Sequence, residues 1–151
     1  MIVRRGTEAD REGALQVWRA ALGARGTRPP ATRVARVTDK LAQELLVVAD
    51  DGAVIGMALG EPDRDVEQQV HVSMLFVAPD RWRTGVGSAL LEGLADQAWG
   101  DGMRRLAVWT GTANAAARAL YDTCGLVPTG RTSEQPFGFA RLNVPALPDP
   151  M

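Results

Sequence analysis

The stretch Val77-Ala78-Pro79-Asp80-Arg81-Trp82-Arg83-Thr84-Gly85-Val86-Gly87-Ser88 decides the fold of this chain. An apolar run ends at Val77, a proline and four polar or bulky residues turn the chain, and two glycines permit close backbone approach. Ala89-Leu90-Leu91 then opens a long amphipathic segment. The pattern is a strand, a tight loop and a helix N-terminus. A helix start carries several N–H groups with no partner inside the helix, backed by the positive end of the helix dipole. A phosphate-rich ligand suits such a place.

Outward from the loop, Val70 to Val77 predicts the strand before it, and Val86, Leu90, Leu94 and Ala98 recur every four residues as a helix that Gly100 to Gly102 stops. Arg104 to Thr110 reads as a strand, Asn114 to Cys124 as an alanine-rich helix closed by Gly125, and Val127 to Thr132 and Phe137 to Val144 as two last strands. Upstream, residues 2 to 5 form a strand, and Thr7 and Asp10 resemble a capping box ahead of a helix bearing Leu15, Val17, Trp18 and Leu22. Gly23 to Pro30 is a loop before a weaker helical pattern with Val34, Val37, Leu41 and Leu45. Leu45 to Ala49 and Val54 to Leu59 form a hairpin turned by Asp50-Asp51-Gly52. The order predicts a mixed α/β fold of about seven strands and four helices. Its sheet is mostly antiparallel, with one parallel pair where helix 85–100 crosses over.

With 151 residues, the chain suits one domain, 1–151, with a proline-rich tail at 145–151 that is expected to fray. Hydrophobic residues make up 46% and charged residues 23%, ordinary for a globular protein, and a net charge of −1 gives no sign of nucleic-acid binding. Cys124 is the single cysteine and His71 the single histidine, so neither a disulfide framework nor a zinc site is expected, and no metal is assigned. The N-terminus lacks a signal-peptide core and no apolar run is long enough to span a bilayer. A cytoplasmic location without membrane association is expected, and a homodimer is expected on general frequency alone.

Gly85-Val86-Gly87 does not extend to a dinucleotide fingerprint, because Leu90 stands where the third glycine is needed, and no Gly-Lys-Ser/Thr makes a Walker loop. About thirty residues on, Asn114, Arg118 and Tyr121 fall at i, i+4 and i+7 of one helix. Val77-x-Pro79, the Gly-Val-Gly loop and Asn114-x-x-Ala117-x-x-x-Tyr121-x-x-x-Gly125-Leu126, in this order and spacing, resemble the GNAT superfamily of acyl-CoA-dependent N-acetyltransferases over roughly residues 70 to 130. The resemblance implies a central sheet splayed at a cofactor cleft and acetyl-CoA as acetyl donor. Its pyrophosphate would lie on the amides of Arg83, Thr84, Gly85, Val86, Gly87 and Ser88, and its pantetheine arm on the main chain of Leu75, Phe76 and Val77. The motif asparagine falls on Asn114 as a cofactor contact, and the motif tyrosine on Tyr121, facing the thioester sulfur. Where many members carry Gln or Arg, this chain has Trp82, which fits either a lid over the loop or a surface anchor.

Direct transfer needs a neutral amine, a polarised carbonyl and a proton for the leaving thiolate. Four residues before Leu75, at a position where some members of the family carry a base, stands His71; its ordinary pKa near ~6.5 suits that task. A satisfied structural histidine is the competing reading, and Glu61 and Glu67 are further candidates. Ser73 shares the strand face of His71. The N–H groups of Phe76 and Val77 suit an oxyanion, and Tyr121 suits the acid, with a packing aromatic as the alternative. Cys124 reads as core. Trp109 could wall an acceptor pocket, and Trp18, Arg25, Arg28 and Arg33 lie where the family builds its acceptor site. The expected activity is acetyl transfer to a primary amine of a small molecule or protein. The alternative from another class is a non-catalytic acyl-CoA-binding sensor or regulatory module.

Overall fold

The computed structural model describes residues 1–112, 114–133, 139–148 and 150. Eleven helices and strands follow the anticipated order: β1 (Ile2–Arg5), α1 (Arg11–Ala24), α2 (Ala31–Gln43), β2 (Leu45–Asp50), β3 (Val54–Pro62), β4 (Gln69–Val77), α3 (Val86–Gly100), β5 (Arg105–Gly111), α4 (Ala115–Thr123), β6 (Val127–Ser133) and β7 (Phe139–Val144). Short 3-10 turns at Glu8–Asp10 and Pro79–Arg81 escape a periodicity reading because they are a single turn each. Of the last expected strand, Phe137 and Gly138 lie outside the described residues.

The strands form one sheet in the order β1-β2-β3-β4-β5-β7-β6. Every neighbouring pair is antiparallel except β4 and β5, which run parallel because α3 carries the chain across. One face of the sheet packs on α3 and α4 through Val70, Val72, Leu90, Leu94, Leu106, Val108 and Leu142. The other packs on α1 and α2 through Trp18, Val37, Leu41, Met57 and Leu59. Leu90, Leu94 and Leu106 are at most 1% exposed, and full burial of such a side chain stabilises by about 1.5–3 kcal/mol. At the start of α1, Asp10 accepts from the Thr7 N–H (2.8 Å) and hydroxyl (3.0 Å) and receives both Nη atoms of Arg4, so the capping pair also clamps the helix to β1.

A β-bulge at Ser73 breaks the β3–β4 register: Gly60 faces Val72, whereas the next residue of β3 toward its start, Leu59, faces Met74. The extra residue turns β4 over. Before it, Val70 and Val72 point to the α3 side; after it, Leu75 and Val77 point there, and Met74 and Phe76 turn to the α1 side. The parallel pairing of β4 with β5 ends at Val72 opposite Val108. Beyond that rung the two strands diverge into the splay expected of the sheet. The tail is tied down at one point: Leu147 is buried and its N–H donates to the Arg104 carbonyl (2.8 Å), so the run expected to fray is anchored there.

Candidate functional site

The ladder phase determines which backbone groups of β4 open into the splay. Ala78 N–H donates to the Ile55 carbonyl (2.8 Å), and hydrogen-bonded and non-bonded pairs alternate along an antiparallel ladder. Phe76 therefore turns its N–H and C=O to Met57 in β3, while Leu75 and Val77 turn theirs toward β5, which is no longer there to receive them. This corrects one expectation: the Phe76 amide is engaged in the sheet and is not an oxyanion donor. The ring of Phe76 still lines the cleft.

The cleft is a cavity of about 630 Å³ between Leu75, Phe76 and Val77 of β4, the 81–88 loop, the first turn of α3, and Asn114, Leu120 and Tyr121 at α4, with Ala21 of α1 and Arg25 just past that helix also lining it. The first intrahelical bond of α3 runs from Ala89 N–H to Gly85 C=O, and no side chain caps the helix. The N–H groups at its start thus face the cavity without a helical partner. Gly85 caps α3 at φ +86°, a conformation that a residue with Cβ adopts only with strain. Arg83 adopts the same left-handed region, at φ +64°, with a Cβ. Thr84, expected among the loop contacts, is not part of the cavity wall; its hydroxyl donates to the Arg81 carbonyl and braces the turn. The Trp82 indole N–H donates to the Val77 carbonyl (2.8 Å), and the Arg25 guanidinium lies 5.8 Å from its ring centre. Trp82 is 40% exposed, and it straps the loop to the end of β4 and reaches Arg25 just past α1.

Asn114 is the N-cap of α4, its Oδ1 accepting from the Ala117 N–H (3.1 Å), which leaves its Nδ2 for the cavity. The polar stripe expected on this helix is incomplete, because Arg118 turns back to the Thr112 carbonyl and Ala117 takes the place on the cavity wall. Tyr121 is buried, and its hydroxyl has no hydrogen-bond partner among the described residues. Burial, with Cys124 nearby, pushes this phenol up to about 12, so it is a neutral hydrogen-bond donor at physiological pH.

His71 does not reach this cavity. It lies on the α1 side of β4, opposite Glu61 of β3 and Ala107 of β5. Its Nδ1 stands 2.9 Å from Nη1 of Arg141. A guanidinium can only donate, so Nδ1 accepts and the ring is the neutral Nε2–H tautomer. Burial, followed by the Arg141 charge, holds its pKa below the ordinary histidine value. The general-base expectation for His71 is thereby corrected: its lone pair is already occupied, and its remaining ring nitrogen carries a proton.

Around His71 the sequence reading missed most of the polar architecture. Arg141, 5% exposed, forms an ion pair with Asp63, which also accepts from Gln69 Nε2 (2.8 Å) and the Asp65 N–H (2.9 Å). Burial pushes the Asp63 carboxyl up, but these donors outweigh it and hold the group below the usual carboxylate range. Glu61 is likewise held down against burial, by Lys40 (3.1 Å) and Ser73. The one signal in the sequence was Arg141 itself, standing between Ala140 and Leu142 in a strand that alternates. Its partners come together only through the sheet register.

The groups at the cavity fit a long thioester with phosphates at one end: unpartnered amides and Arg83 at the α3 start, the main chain of Leu75 and the N–H of Val77 for an amide-bearing arm, and a buried phenol. Among the described residues, no set of three His, Cys, Asp or Glu could hold a metal ion, and no helix is long and apolar enough to cross a membrane. The sequence matches the profile of the Acetyltransferase (GNAT) family over residues 12–126. No curated protein sequence gives a significant match. Among solved structures, ribosomal-protein-alanine N-acetyltransferase from Brucella melitensis superposes with a TM-score of 0.77 at 23% identity, over 96% of this chain and 99% of that one. YncA from Salmonella typhimurium, solved with its cofactor acetyl-CoA, gives 0.75 at 20% identity, over 100% and 96%. A GNAT-family acetyltransferase from Bacillus cereus gives 0.78 at 14% identity, over 97% and 98%. At these identities the likeness is one of fold.

Proposed function

Because this chain belongs to the GNAT family of acetyltransferases, we propose that it transfers the acetyl group of acetyl-CoA directly to a primary amine of a small molecule or a protein. The observation that carries this reading is the splay cavity, which brings together the residues of the α3 start, Leu75 and Val77 of β4, and Tyr121 of α4. Val86, Gly87 and Ser88 offer amides to phosphate oxygens, with Arg83 supplying charge. Leu75 pairs with the cofactor arm as a strand edge would, and Val77 adds its N–H, its carbonyl being held by the Trp82 indole. Asn114 orients that arm through its free Nδ2.

The acetyl thioester supplies an activated carbonyl. The ammonium sheds one proton to solvent; the lone pair of the neutral amine attacks the carbonyl carbon, and as the C–N bond forms and the C–S bond breaks the nitrogen gives up a second proton to solvent, which balances the one that the thiolate takes. The departing thiolate takes a proton and leaves as the free thiol. Tyr121 donates to the sulfur. Its burial raises the phenol, and the same dry surroundings raise the basicity of the thiolate, so the proton affinities of the two groups move together.

Calorimetric titration with acetyl-CoA, with NAD as the control, tests the cofactor assignment, and thiol release across an amine panel tests turnover. Micromolar acetyl-CoA binding without NAD binding is the expected result. Absence of acetyl-CoA binding at high micromolar concentration would overturn the reading.

A further inference from the structure

The floor of the splay carries one arginine that has no ion-pair partner among the described residues. Trp109 is the first β5 residue beyond the last β4–β5 rung, Val72 opposite Val108, and so stands at the apex where the strands part. It pairs with Arg141 across β5–β7. Leu106, Val108 and Leu142 point to the α3 side, so Trp109 and Arg141 point to the other face, away from the helix start that suits the phosphates. Two guanidiniums converge on this one indole: Arg141 at 5.1 Å and Arg131 at 5.7 Å from the ring centre. Asp63 and its ion pair with Arg141 answer one of them. Arg131, exposed on β6, has no carboxylate partner among the described residues. The charge of Arg131 lowers the pKa of Arg141, after burial and against the pull of Asp63, so the two cations feel each other. His71, fixed as an Nε2–H tautomer against Arg141, brings a donor and no negative charge to the same face of the sheet. Glu61 is tied to Lys40. The cluster thus holds two cations around an aromatic ring; Asp63 and Asp65 face Arg141, and Arg131 is the cation left without an ion-pair partner among the described residues.

We propose that the acyl acceptor is an amino acid or a similar small amine bearing a carboxylate, and that Arg131, over the Trp109 ring with Arg141 behind it, takes that carboxylate. The inference rests on the acetyltransferase reading for its chemistry and names the acceptor class of that same site. Arg131 is a specificity-determining residue here and takes no part in bond making. A protein amino group, which carries no adjacent carboxylate, is the disfavoured acceptor.

The test compares each proteinogenic L-amino acid with its decarboxylated amine, as acceptors for acetyl-CoA-dependent thiol release and as ligands of the CoA-saturated protein in calorimetry. At least one amino acid is expected to exceed its amine by tenfold or more in kcat/KM. Arg131→Gln is expected to cut that ratio about tenfold through KM, and Arg131→Lys to restore part of it. Equal or better use of the decarboxylated amines, or a ratio untouched by Arg131→Gln, would overturn the proposal. Should no acceptor turn over, amino-acid binding that weakens in Arg131→Gln would keep the acceptor site and defeat the catalytic reading. Acetyl-CoA binding with no amino acid bound or acetylated would defeat the acceptor site and leave the cofactor reading standing.

Discussion

The Arg141 guanidinium lies 2.9 Å from Nδ1 of His71 and fixes that imidazole as a neutral hydrogen-bond acceptor on the inner face of the sheet. The consequence for stability has a definite sign. The folded pKa of His71 lies below its ordinary value near ~6.5, so as pH falls below that point the unfolded chain binds a proton that the native state refuses. Stability is fully present above about pH 6.5 and declines as pH drops from there toward the folded pKa, with a slope of at most ~1.4 kcal/mol per pH unit for one proton. His71→Asn keeps an acceptor near Nδ1 and cannot titrate. Urea midpoints measured between pH 7 and 5 are expected to slope in the wild type and to flatten in this variant. An unchanged slope would place the titration elsewhere.

Asp63 gives a second, separate acid limb. Its folded pKa is depressed, so its contribution is present above the unfolded value near ~3.9 and is lost as pH falls through the folded one. His71→Asn is expected to leave this lower limb in place. Asp63→Asn is expected to remove it and to lower stability at pH 7 by about 3–5 kcal/mol, because Arg141 then remains buried without its counter-charge. Thermal or urea unfolding at pH 7 reads the loss. A stability change under 1 kcal/mol would mean that the pair contributes little.

Tyr121→Phe removes a hydroxyl that no described residue bonds, so the fold is expected to be unaffected. Loss of a proton donor in the transition state is expected to lower kcat by about 10²-fold or more, with acetyl-CoA affinity held within about twofold. Steady-state kinetics beside calorimetry separates the two. A variant with wild-type kcat would leave Tyr121 as an aromatic packed against the core.

The architecture was legible because α3 and its loop, β4 and α4 carry strong periodic and glycine signals. Those same segments hold Leu75, Val77, Gly85, Gly87, Asn114 and Tyr121 at one cavity. Three things were not legible. The bulge at Ser73 has no composition of its own, yet it reverses the face of every later residue in β4. The backbone phase that takes Phe76 out of the cleft follows from a cross-strand register. The Arg141 cluster joins β3, β4, β5 and β7, elements far apart in the chain, and Arg141, the one signal of it in the sequence, does not say which residues it meets.

Trp82 replaces a residue type that many family members use at the loop, and its indole N–H bonds the Val77 carbonyl. Trp82→Phe keeps the ring near Arg25 and deletes that bond. A net loss of about 1 kcal/mol in loop order is expected, seen as roughly fivefold weaker acetyl-CoA binding with kcat at saturation little changed. Tighter binding in Trp82→Phe would show instead that the indole competes for the Val77 carbonyl.

Arg83 holds a left-handed backbone, φ +64°, one residue from the glycine loop proper. A residue with a Cβ sits there at a cost of roughly 1–2 kcal/mol, a strain that glycine would relieve. Glycine also adds freedom to the unfolded chain, which offsets part of the relief, so Arg83→Gly is expected to raise stability by a net ~0.5–1 kcal/mol. The strain persists at a position whose side chain lines the phosphate end of the cavity and has no ion-pair partner among the described residues. Arg83→Asn separates the two contributions, since asparagine tolerates this conformation but carries no charge. Both variants are expected to weaken acetyl-CoA binding about five- to tenfold and to flatten its dependence on salt, because a cation near the phosphates is gone. Urea unfolding gives the strain and calorimetry at two ionic strengths gives the charge. Greater stability with unchanged affinity would mean that the strained arginine serves the loop without touching the cofactor.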